Sequence, residues 1–383
     1  MKRIVIFGST GSIGCNTLSV VRRFPEEFRV VGFSAHQQVG LLKKQVAEFE
    51  PEVVVLTDKN PGGFGRTKVL SGPDGLKKLA FWPRSDLVVM AIPGSGSLMP
   101  ASWALEAGRN LALASKEALV MAGELLIARA KKAGVRIIPL DSEHNAIFQI
   151  LSAYPGRPVK KVFLTASGGP FLNQKKKKVS IKEALEHPVW KMGRKVTIDS
   201  ATMVNKALEI IEAHHLFGLP PEKIGVLIHP EVLVHGLVEF EDGFITANLS
   251  VPDMKMPIAA GLFWPEDPPD TPVARAISLS DLSRLTFRAP SPRQFPALGL
   301  AYDVLKKGGS YPAAFSVANE EAVNAFLTGK IGFEAILSLV RTVVKEHRPI
   351  FRPDMSDILA VAEDTRTITR SLIKEYFRKV SPQ

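Results

Sequence analysis

The sequence contains a single cysteine, Cys15, so no disulfide can form within the chain. Such sparing use of cysteine suits a reducing compartment. No apolar run approaches the ~18 residues that a membrane span requires. The chain also passes from Met1 directly into an apolar segment, KRIVIF, which leaves no room for a signal or transit peptide. We therefore expect a cytoplasmic protein with no membrane partner.

Acidic residues are also in short supply, with 38 Asp and Glu against 49 Lys and Arg. A basic balance of this kind raises the possibility of a nucleic-acid partner. However, the basic residues are scattered, and the one dense run, at residues 175–178, has no interleaved aromatic side chains for base stacking. We expect this run to be a solvated loop and the charge to serve an anionic small-molecule substrate instead.

Strand-like and helical patterns alternate in the first part of the chain. The strand-like segments are residues 2–7, 28–34, 53–57, 87–92, 110–114 and 135–140, and helical patterns at 39–49, 97–107 and 117–132 lie between most of them. This alternation predicts an α/β domain with a Rossmann-like, doubly wound parallel sheet.

A glycine-rich segment, Gly8-Ser-Thr-Gly11-Ser-Ile-Gly14, follows the first strand and leads into a helical pattern. At such a strand-to-helix turn, backbone N–H groups and the helix dipole can bind a pyrophosphate. The alternative is a simple glycine turn. We predict a dinucleotide site here.

The end of the second strand lacks the acid that binds the ribose hydroxyls in NAD enzymes. The sequence there reads Ser34-Ala-His-Gln-Gln, and the next carboxylate is Glu48. This absence favours NADP, whose 2′-phosphate a carboxylate would repel. His36, Gln37 and Gln38 are the candidate contacts, with ordinary surface-loop residues as the alternative.

Two further strand ends carry polar clusters, SKE at 115–117 and DSEH at 141–144. The carboxyl ends of parallel strands face the ligand crevice. Asp141 and Glu143 are two residues apart, so in an extended chain they would point the same way and could chelate a hard divalent cation. The alternative is a helix N-terminus with acids in its first turn.

The stretch from 187 to 209 combines, in this prediction, a Trp-Met-Gly loop, a short strand and a helix that Asp199 or Ser200 caps. At 3.6 residues per turn, Asn205, Lys206 and Glu209 gather on one face of that helix. A solvated charged face is the alternative to a functional site. In the loop, Trp190 and Met192 could close over a ligand as a lid or simply belong to the core.

The remaining segments predict a smaller sheet and a helical C-terminal region. A strand at 159–166 leads into Ser167-Gly168-Gly169-Pro170, a turn that could bind a phosphate or could be a turn only. The other strands are predicted at 224–229, 233–240 and 244–250, and the helices at 297–307, 313–327, 333–346 and 355–378. We expect a nucleotide-binding domain at 1–141, an α+β domain with the candidate catalytic residues at 142–263, a proline-rich linker at 264–292 and a helical domain at 293–383.

Seven segments together resemble the 1-deoxy-D-xylulose 5-phosphate reductoisomerase family, collinearly over essentially the whole chain. They are GSTGSIG (8–14), SKEALV (115–120), DSEHNAIFQ (141–149), SGGPF (167–171), HPVWKMGRKVTIDSATMVNKALEIIEA (187–213), HPEVLVHGLVEF (229–240) and VPDMKMPIA (251–259). The resemblance implies NADPH-dependent conversion of deoxyxylulose phosphate to 2-C-methyl-D-erythritol 4-phosphate in non-mevalonate isoprenoid synthesis. It also implies a homodimer formed through the 142–263 domain, a magnesium, manganese or cobalt ion, and sensitivity to fosmidomycin.

The resemblance also assigns residues to roles. The implied metal ligands are Asp141, Glu143 and Glu209, and the implied catalytic residues are Lys116, Glu143 and His187. The implied substrate contacts are Lys116, Ser142, Glu143, Ser167, His187, Ser200, Asn205, Lys206 and Glu209. The implied NADPH contacts are Thr10, Gly11, Ser12, Ile13, Ser115, Glu117 and Gly193, together with His36, Gln37 and Gln38 near the 2′-phosphate. The family commonly has Asn where Ser115 stands, and a basic residue and Asn where Gln37 and Gln38 stand.

Two other functions remain open on the sequence. Another Rossmann NADP-dependent dehydrogenase, acting on a small phosphorylated or amino-acid-derived substrate, would share the N-terminal domain but would not need three acids for a metal. A basic nucleic-acid-binding protein would be distinguished by salt-sensitive retention on nucleic acid.

Overall fold

The computed structural model describes residues 1–58, 63–172, 179–190, 192–278, 280 and 282–380. The predicted basic loop at 175–178 therefore lies outside the described residues. The chain divides into two units. The first unit comprises Met1–Ser115, Leu126–Gln149 and Asp253–Ile277, and the second comprises Lys116–Leu125, Ile150–Pro252 and Ser278–Gln383.

Most of the predicted strands and helices are present, with further elements between them. The strands are β1 Lys2–Phe7, β2 Phe28–Ala35, β3 Val53–Leu56, β4 Lys68–Ser71, β5 Leu87–Met90, β6 Asn110–Leu113, β7 Ile137–Pro139, β8 Val159–Ala166, β9 Ile224–Ile228, β10 Val234–Phe240 and β11 Ile245–Leu249. The helices are α1 Ser12–Arg23, α2 Val39–Phe49, α3 Gly72–Ala80, α4 Leu98–Glu106, α5 Lys116–Ala133, α6 Ser142–Ala153, α7 Ile181–Ala184, α8 Arg194–Ala201, α9 Val204–Phe217, α10 Lys255–Phe263, α11 Pro296–Lys307, α12 Tyr311–Leu327, α13 Phe333–Glu346 and α14 Met355–Val380.

A seven-stranded sheet with the order β4-β3-β2-β1-β5-β6-β7 forms the centre of the first unit. All of its neighbouring strands pair in parallel. The residues of β1 from Ile4 to Phe7 are completely buried, as expected of a parallel strand covered by helices on both faces. The strand order reverses at β1, and ligands of such sheets bind beyond the carboxyl ends of the strands at this reversal. The predicted doubly wound Rossmann-like fold is confirmed.

The sheet has one strand more than the six predicted from the sequence. Strand β4 lies at the edge of the sheet and pairs with β3. Its terminal residues, Lys68 and Ser71, are exposed and its two central residues are only partly buried. An edge strand of this length has no fully buried apolar run, so periodicity does not reveal it.

Helix α10 belongs to the first unit, although it follows all four strands of the second sheet in the chain. The Phe263 ring packs edge-on against Phe24 and Phe28, with centroids 5.0 and 4.8 Å away. The ammonium of Lys2 donates to the carbonyls of Leu262, Phe263 and Trp264 at the end of α10, where a positive charge is favourable. The predicted domain boundaries at 141, 263 and 292 stay predictions.

A four-stranded mixed sheet with the order β11-β10-β8-β9 lies in the second unit. Strand β10 is antiparallel to β8 and β11, whereas β8 and β9 are parallel. Helices α11 to α14 form the helical C-terminal part of the same unit, and α12 packs against both α13 and α14. None of the described helices is both long and apolar enough to cross a membrane.

The strand predicted between 187 and 209 is wrong. Residues Arg194–Ala201 form helix α8 instead, and its N-cap is Gly193. The β-branched run Val196-Thr197-Ile198 suggested a strand, but the Lys195 ammonium donates to Asp199 at 2.7 Å, which is an i,i+4 pair that supports a helix. Asp199 and Ser200 therefore lie inside α8 and do not cap the next helix. That helix, α9, begins after Met203, which has a left-handed backbone with φ of 60°.

Candidate active site

The glycine turn after β1 is closely packed, and its shape depends on the glycines. A Cβ added to Gly8, which has φ of +81°, would lie 2.7 Å from the Ala91 carbonyl oxygen. A Cβ added to Gly14 would lie 2.4 Å from the Gly8 carbonyl oxygen. Gly11 is the N-cap of the twelve-residue helix α1 and supplies no side-chain cap. Backbone N–H groups therefore stand at a helix N-terminus beside the sheet reversal, an arrangement that fits a dinucleotide pyrophosphate.

The predicted 2′-phosphate contacts follow β2 and are exposed. The Nδ1 atom of His36 lies 2.8 Å from the Thr57 hydroxyl. The Gln38 amide donates to the Thr10 carbonyl at 3.4 Å, which ties this loop to the glycine turn. The role of Gln37 stays a prediction.

Ser115 occupies the same carboxyl edge of the sheet, two residues after β6 and one residue before α5. Its side chain is buried, and its hydroxyl has no hydrogen-bond partner among the described residues. A buried hydroxyl without a partner is uncommon in native proteins and is readily explained by a ligand. This observation fits the predicted cofactor contact.

The acidic cluster after β7 begins a helix, which corrects the extended conformation assumed in the sequence analysis. Helix α6 starts at Ser142, and the Asn145 N–H donates to the Asp141 carbonyl at 2.8 Å. The backbone has the conformation of the alternative prediction, in which the acids lie at a helix N-terminus. The Ser142 hydroxyl donates to Glu143 at 2.6 Å, and His144 Nδ1 lies 3.6 Å from the Asp141 carboxylate. Asp141 and Glu143 thus present carboxylate oxygens at the sheet edge where ligands bind, a donor type suited to hard divalent cations.

In the second unit, Glu209 contacts the polar side chains that were predicted to lie with it on one face of α9. Glu209 is completely buried and accepts hydrogen bonds from Asn205 and from the Lys206 ammonium. The Lys116 ammonium lies 3.8 Å from the same carboxylate. Lys206 and Lys116 are themselves buried. The predicted grouping is confirmed, and the alternative of a solvated face is wrong because α9 is enclosed.

A carboxylate offers about four lone-pair positions on two oxygens. Carboxylate oxygens such as those of Glu209 suit Mg²⁺ or Mn²⁺. Buried carboxylates are nearly always paired with positive charge, and here two lysines provide it. The residue types fit a divalent metal as well as an anionic substrate.

The Ser167-Gly168-Gly169 turn forms a second polar group in this unit. The Ser167 hydroxyl lies 3.2 Å from His187 Nε2 and accepts the Gly169 N–H at 3.2 Å. Gly169 has φ of +70°, and a Cβ at this position would lie 2.9 Å from the Ser200 carbonyl oxygen. This close approach brings the turn against the C-terminal part of α8.

His187 is neutral in this arrangement. Burial lowers its pKa to about 4. Its Nδ1 atom accepts the N–H groups of Val189 and Trp190, at 3.2 and 2.9 Å, so the ring proton resides on Nε2. The Nε2–H group donates a hydrogen bond to the Ser167 hydroxyl oxygen. The Ser167 O–H can then donate a hydrogen bond to a ligand oxygen.

The predicted lid residues follow His187 directly. The Trp190 ring lies 6.2 Å from the His235 ring, centroid to centroid, at an angle of 51°. Trp190 and Met192 are both partly buried, and Gly193 is exposed. The lid role of Trp190 and Met192 stays a prediction.

Glu117 takes part in a buried ionic network that the sequence analysis missed. The Lys195 ammonium donates to Glu117 at 2.8 Å and to Asp199 at 2.7 Å. The second Asp199 oxygen accepts the Asn319 amide N–H of α12 at 2.7 Å. The i,i+4 spacing of Lys195 and Asp199 was the available signal, and the strand prediction concealed it.

Three family profiles match successive parts of the chain. The profile of 1-deoxy-D-xylulose 5-phosphate reductoisomerase matches residues 4–123, that of the 1-deoxy-D-xylulose 5-phosphate reductoisomerase C-terminal domain matches 137–217, and that of the DXP reductoisomerase C-terminal domain matches 249–368. The chain is 43% identical to the 1-deoxy-D-xylulose 5-phosphate reductoisomerase of Thermodesulfovibrio yellowstonii, over 98% of this chain and 100% of that protein.

The chain belongs to the 1-deoxy-D-xylulose 5-phosphate reductoisomerase family. The reductoisomerase of Geobacter metallireducens is 44% identical over 97% of this chain and 99% of its own length. This membership decides against the two other functions that the sequence left open.

Solved structures of reductoisomerases resemble the chain over nearly its full length. One is a crystal structure in complex with NADPH, fosmidomycin and magnesium, with a TM-score of 0.92, 38% identity and 98% coverage of both chains. Another, from Zymomonas mobilis in complex with NADPH, has a TM-score of 0.86, 35% identity and coverage of 97% of this chain and 99% of that chain. The α/β class with its helical C-terminal part is thereby confirmed.

Proposed function

We propose that this protein converts 1-deoxy-D-xylulose 5-phosphate into 2-C-methyl-D-erythritol 4-phosphate, with NADPH as reductant and a divalent metal, Mg²⁺, Mn²⁺ or Co²⁺, as cofactor. Family membership supports the reaction. The single observation that carries the proposal is the buried Glu209 carboxylate with Lys116, Asn205 and Lys206 about it. A reaction that moves negative charge between substrate oxygens requires such fixed charges in a site shielded from water.

The substrate phosphate binds in the second unit, to Ser167, Ser200, Asn205 and Lys206. The Ser167 hydroxyl and the buried Lys206 ammonium can both donate hydrogen bonds to the phosphate. Charge-assisted hydrogen bonds contribute roughly 1.5–3 kcal/mol each. This remote binding energy holds the reacting carbons in place and favours closure of the lid residues, Trp190 and Met192.

NADPH binds in the first unit, at the turn after β1 and the N-terminus of α1. Its proposed contacts are Thr10, Gly11, Ser12, Ile13, Ser115, Glu117 and Gly193. The exposed side chains after β2, His36, Gln37 and Gln38, bind the 2′-phosphate through neutral hydrogen bonds instead of the usual basic residue. The buried Ser115 hydroxyl, which has no partner among the described residues, supports the assignment of Ser115 as a cofactor contact.

Asp141, Glu143 and Glu209 are the proposed metal ligands, because all three supply hard carboxylate oxygens. When bound, the metal polarises the substrate's adjacent carbonyl and hydroxyl oxygens as a Lewis acid, and NADPH supplies the hydride. Ser142 and Glu143 orient the hydroxyketone end of the substrate. Lys116 stabilises the oxyanion that develops there.

The reaction has two parts that balance in atoms and electrons. In the first, one carbon–carbon bond breaks and another forms, which converts the ketose phosphate into an isomeric branched aldehyde. In the second, the aldehyde carbon gains a hydride, which bound NADPH would supply on its oxidation to NADP⁺, and the aldehyde oxygen gains a proton. The neutral ring of His187, beside the Ser167 hydroxyl, orients the phosphate end throughout and is not the proton source at neutral pH.

The proposed assembly is a homodimer in the cytoplasm. Strand β11 is an edge strand of the second sheet, and Phe244, Ile245 and Leu249 on or beside it are exposed. An uncovered apolar edge strand is a surface that proteins normally cover. The single cysteine suits a reducing compartment.

A direct spectrophotometric assay tests the proposed function. Purified protein is mixed with deoxyxylulose phosphate, Mn²⁺ and either NADPH or NADH, and oxidation of the cofactor is followed by absorbance. We expect oxidation of NADPH that requires the substrate, stops when a chelator is added and is inhibited by fosmidomycin. Oxidation that proceeds equally with NADH, or that is unaffected by exhaustive chelation, contradicts the proposal.

A further inference from the structure

We propose, on the basis of the function above, that Lys195 is a positioning residue that fixes the two ends of the substrate site relative to each other. Its ammonium donates to Glu117 at 2.8 Å and to Asp199 at 2.7 Å. Glu117 is the immediate neighbour of Lys116, and Asp199 is the immediate neighbour of Ser200. One cation thus links the backbone that carries the proposed hydroxyketone contact to the backbone that carries a proposed phosphate contact.

The network is enclosed and firmly anchored. The side chains of Lys195, Glu117 and Asp199 are only 14%, 5% and 1% exposed. Burial alone would raise the pKa of Glu117 and lower that of Lys195. The attraction between the ammonium and its carboxylates outweighs burial, so the pKa of Glu117 is lowered, that of Lys195 is raised, and these two groups stay charged at neutral pH. Ionic hydrogen bonds shielded from water in this way hold their geometry closely.

Asn319 connects the network to the C-terminal helices. It is completely buried on α12 and donates its amide N–H to the Asp199 oxygen that Lys195 does not contact. Helix α8 therefore cannot shift without breaking a hydrogen bond either to α5 or to α12. Lysine suits this place because one ammonium carries three donors on a long side chain and can reach two carboxylates on different helices.

This arrangement also assigns a role to Glu117 beyond a direct contact with the cofactor. One oxygen of its carboxylate is bound to Lys195, so Glu117 serves to fix the first turn of α5. A displacement of about 1 Å between reacting groups can cost about 10²-fold in rate. Each end of the substrate would still bind if the link were broken, but the two ends would no longer be held in reacting geometry.

The test measures steady-state kinetics of the full-length protein with deoxyxylulose phosphate, NADPH and Mn²⁺, at a temperature where circular dichroism shows every variant folded. We expect Lys195→Met to lower kcat by about 10²-fold with little change in KM. Lys195→Arg, which retains the charge, should recover most of that loss. Fluorescence titration should show an unchanged dissociation constant for NADPH.

A matched control separates this effect from the loss of any short ion pair. Lys160 donates to Glu239 at 2.8 Å on the exposed part of the second sheet. Lys160→Met should leave both kcat and KM unchanged. If Lys195→Met does not fold, the charge-free combination of Lys195→Met, Glu117→Gln and Asp199→Asn replaces it, because no carboxylate is then left buried opposite a missing cation.

The outcomes are distinct. Wild-type kcat in folded Lys195→Met or in the charge-free variant overturns the positioning role. The same holds for a loss that follows only the folded fraction, or a loss that Lys195→Arg shares in full. Absence of turnover by the wild-type protein itself overturns the proposed function, and the positioning role with it.

Discussion

Replacing Glu209 with Gln removes one negative charge and preserves the shape of the side chain. Glu209 is completely buried, and Lys206 and Asn205 donate to it while Lys116 lies 3.8 Å away. The substitution therefore removes the carboxylate that balances two buried ammonium groups. It also removes one proposed metal ligand.

Both consequences have a calculable size. Breaking a buried ion pair by removing one partner costs about 3–5 kcal/mol. At about 2–4 °C per kcal/mol for larger domains, the melting temperature should fall by roughly 10 °C. The polarisation supplied by a bound metal is worth several kcal/mol. At about 1.4 kcal/mol per factor of ten, turnover should fall by roughly 10²–10⁴-fold.

The assay compares kcat over a range of Mn²⁺ concentrations for wild type and Glu209→Gln, well below both melting temperatures. Glu321→Gln is the matched control: this carboxylate is 11% exposed in the same unit and also pairs with two cations, Arg366 and Arg370. The control should lose stability but not turnover. Wild-type turnover by Glu209→Gln at low Mn²⁺ would refute the ligand role.

Three further predictions follow from the same geometry. Lys206→Ala should raise KM for the substrate far more than it lowers kcat, because Lys206 is proposed to bind the phosphate; a change confined to kcat would contradict this. Burial lowers the pKa of His187 from 6.5 to about 4. As pH falls, the His187 ring is therefore protonated in the unfolded chain before it is protonated in the folded protein, and the stability that the neutral ring contributes is lost between pH 6.5 and 4. An NMR titration should find the His187 ring neutral at pH 6, and a midpoint above that pH would show the environment to be wrong. Gly14→Ala should weaken NADPH binding more than tenfold, since its Cβ would lie 2.4 Å from the Gly8 carbonyl oxygen, whereas Gly40→Ala, with nothing within 4 Å, should bind NADPH normally by fluorescence titration.

Much of the fold follows from short-range patterns in the sequence. The strand, glycine turn and helix at the N-terminus were predictable because buried β-branched residues and a helix N-terminus each leave a local signature. Asn205, Lys206 and Glu209 could likewise be placed together, since helical periodicity alone brings them to one face. The burial of Lys206 and Glu209 was not predictable, because it depends on α11 and the second sheet packing against α9.

Other features depend on contacts between distant parts of the chain. The β-branched residues of α8 favour a strand locally. The helix is favoured by the hydrogen bonds of Lys195 to Asp199 and Glu117, and the second of these forms only when α5 lies beside α8. The Asn319 contact joins residues 120 positions apart, and no local pattern indicates it. The edge strand β4 escaped detection because it is short and not fully buried.

The position of the metal tests the account most directly. Crystals grown with Mn²⁺ and measured at its absorption edge should contain one strong anomalous peak, coordinated by carboxylate oxygens of Asp141, Glu143 and Glu209. An ion bound by Asp141 and Glu143 alone, with Glu209 directed elsewhere, would contradict the proposed catalytic site.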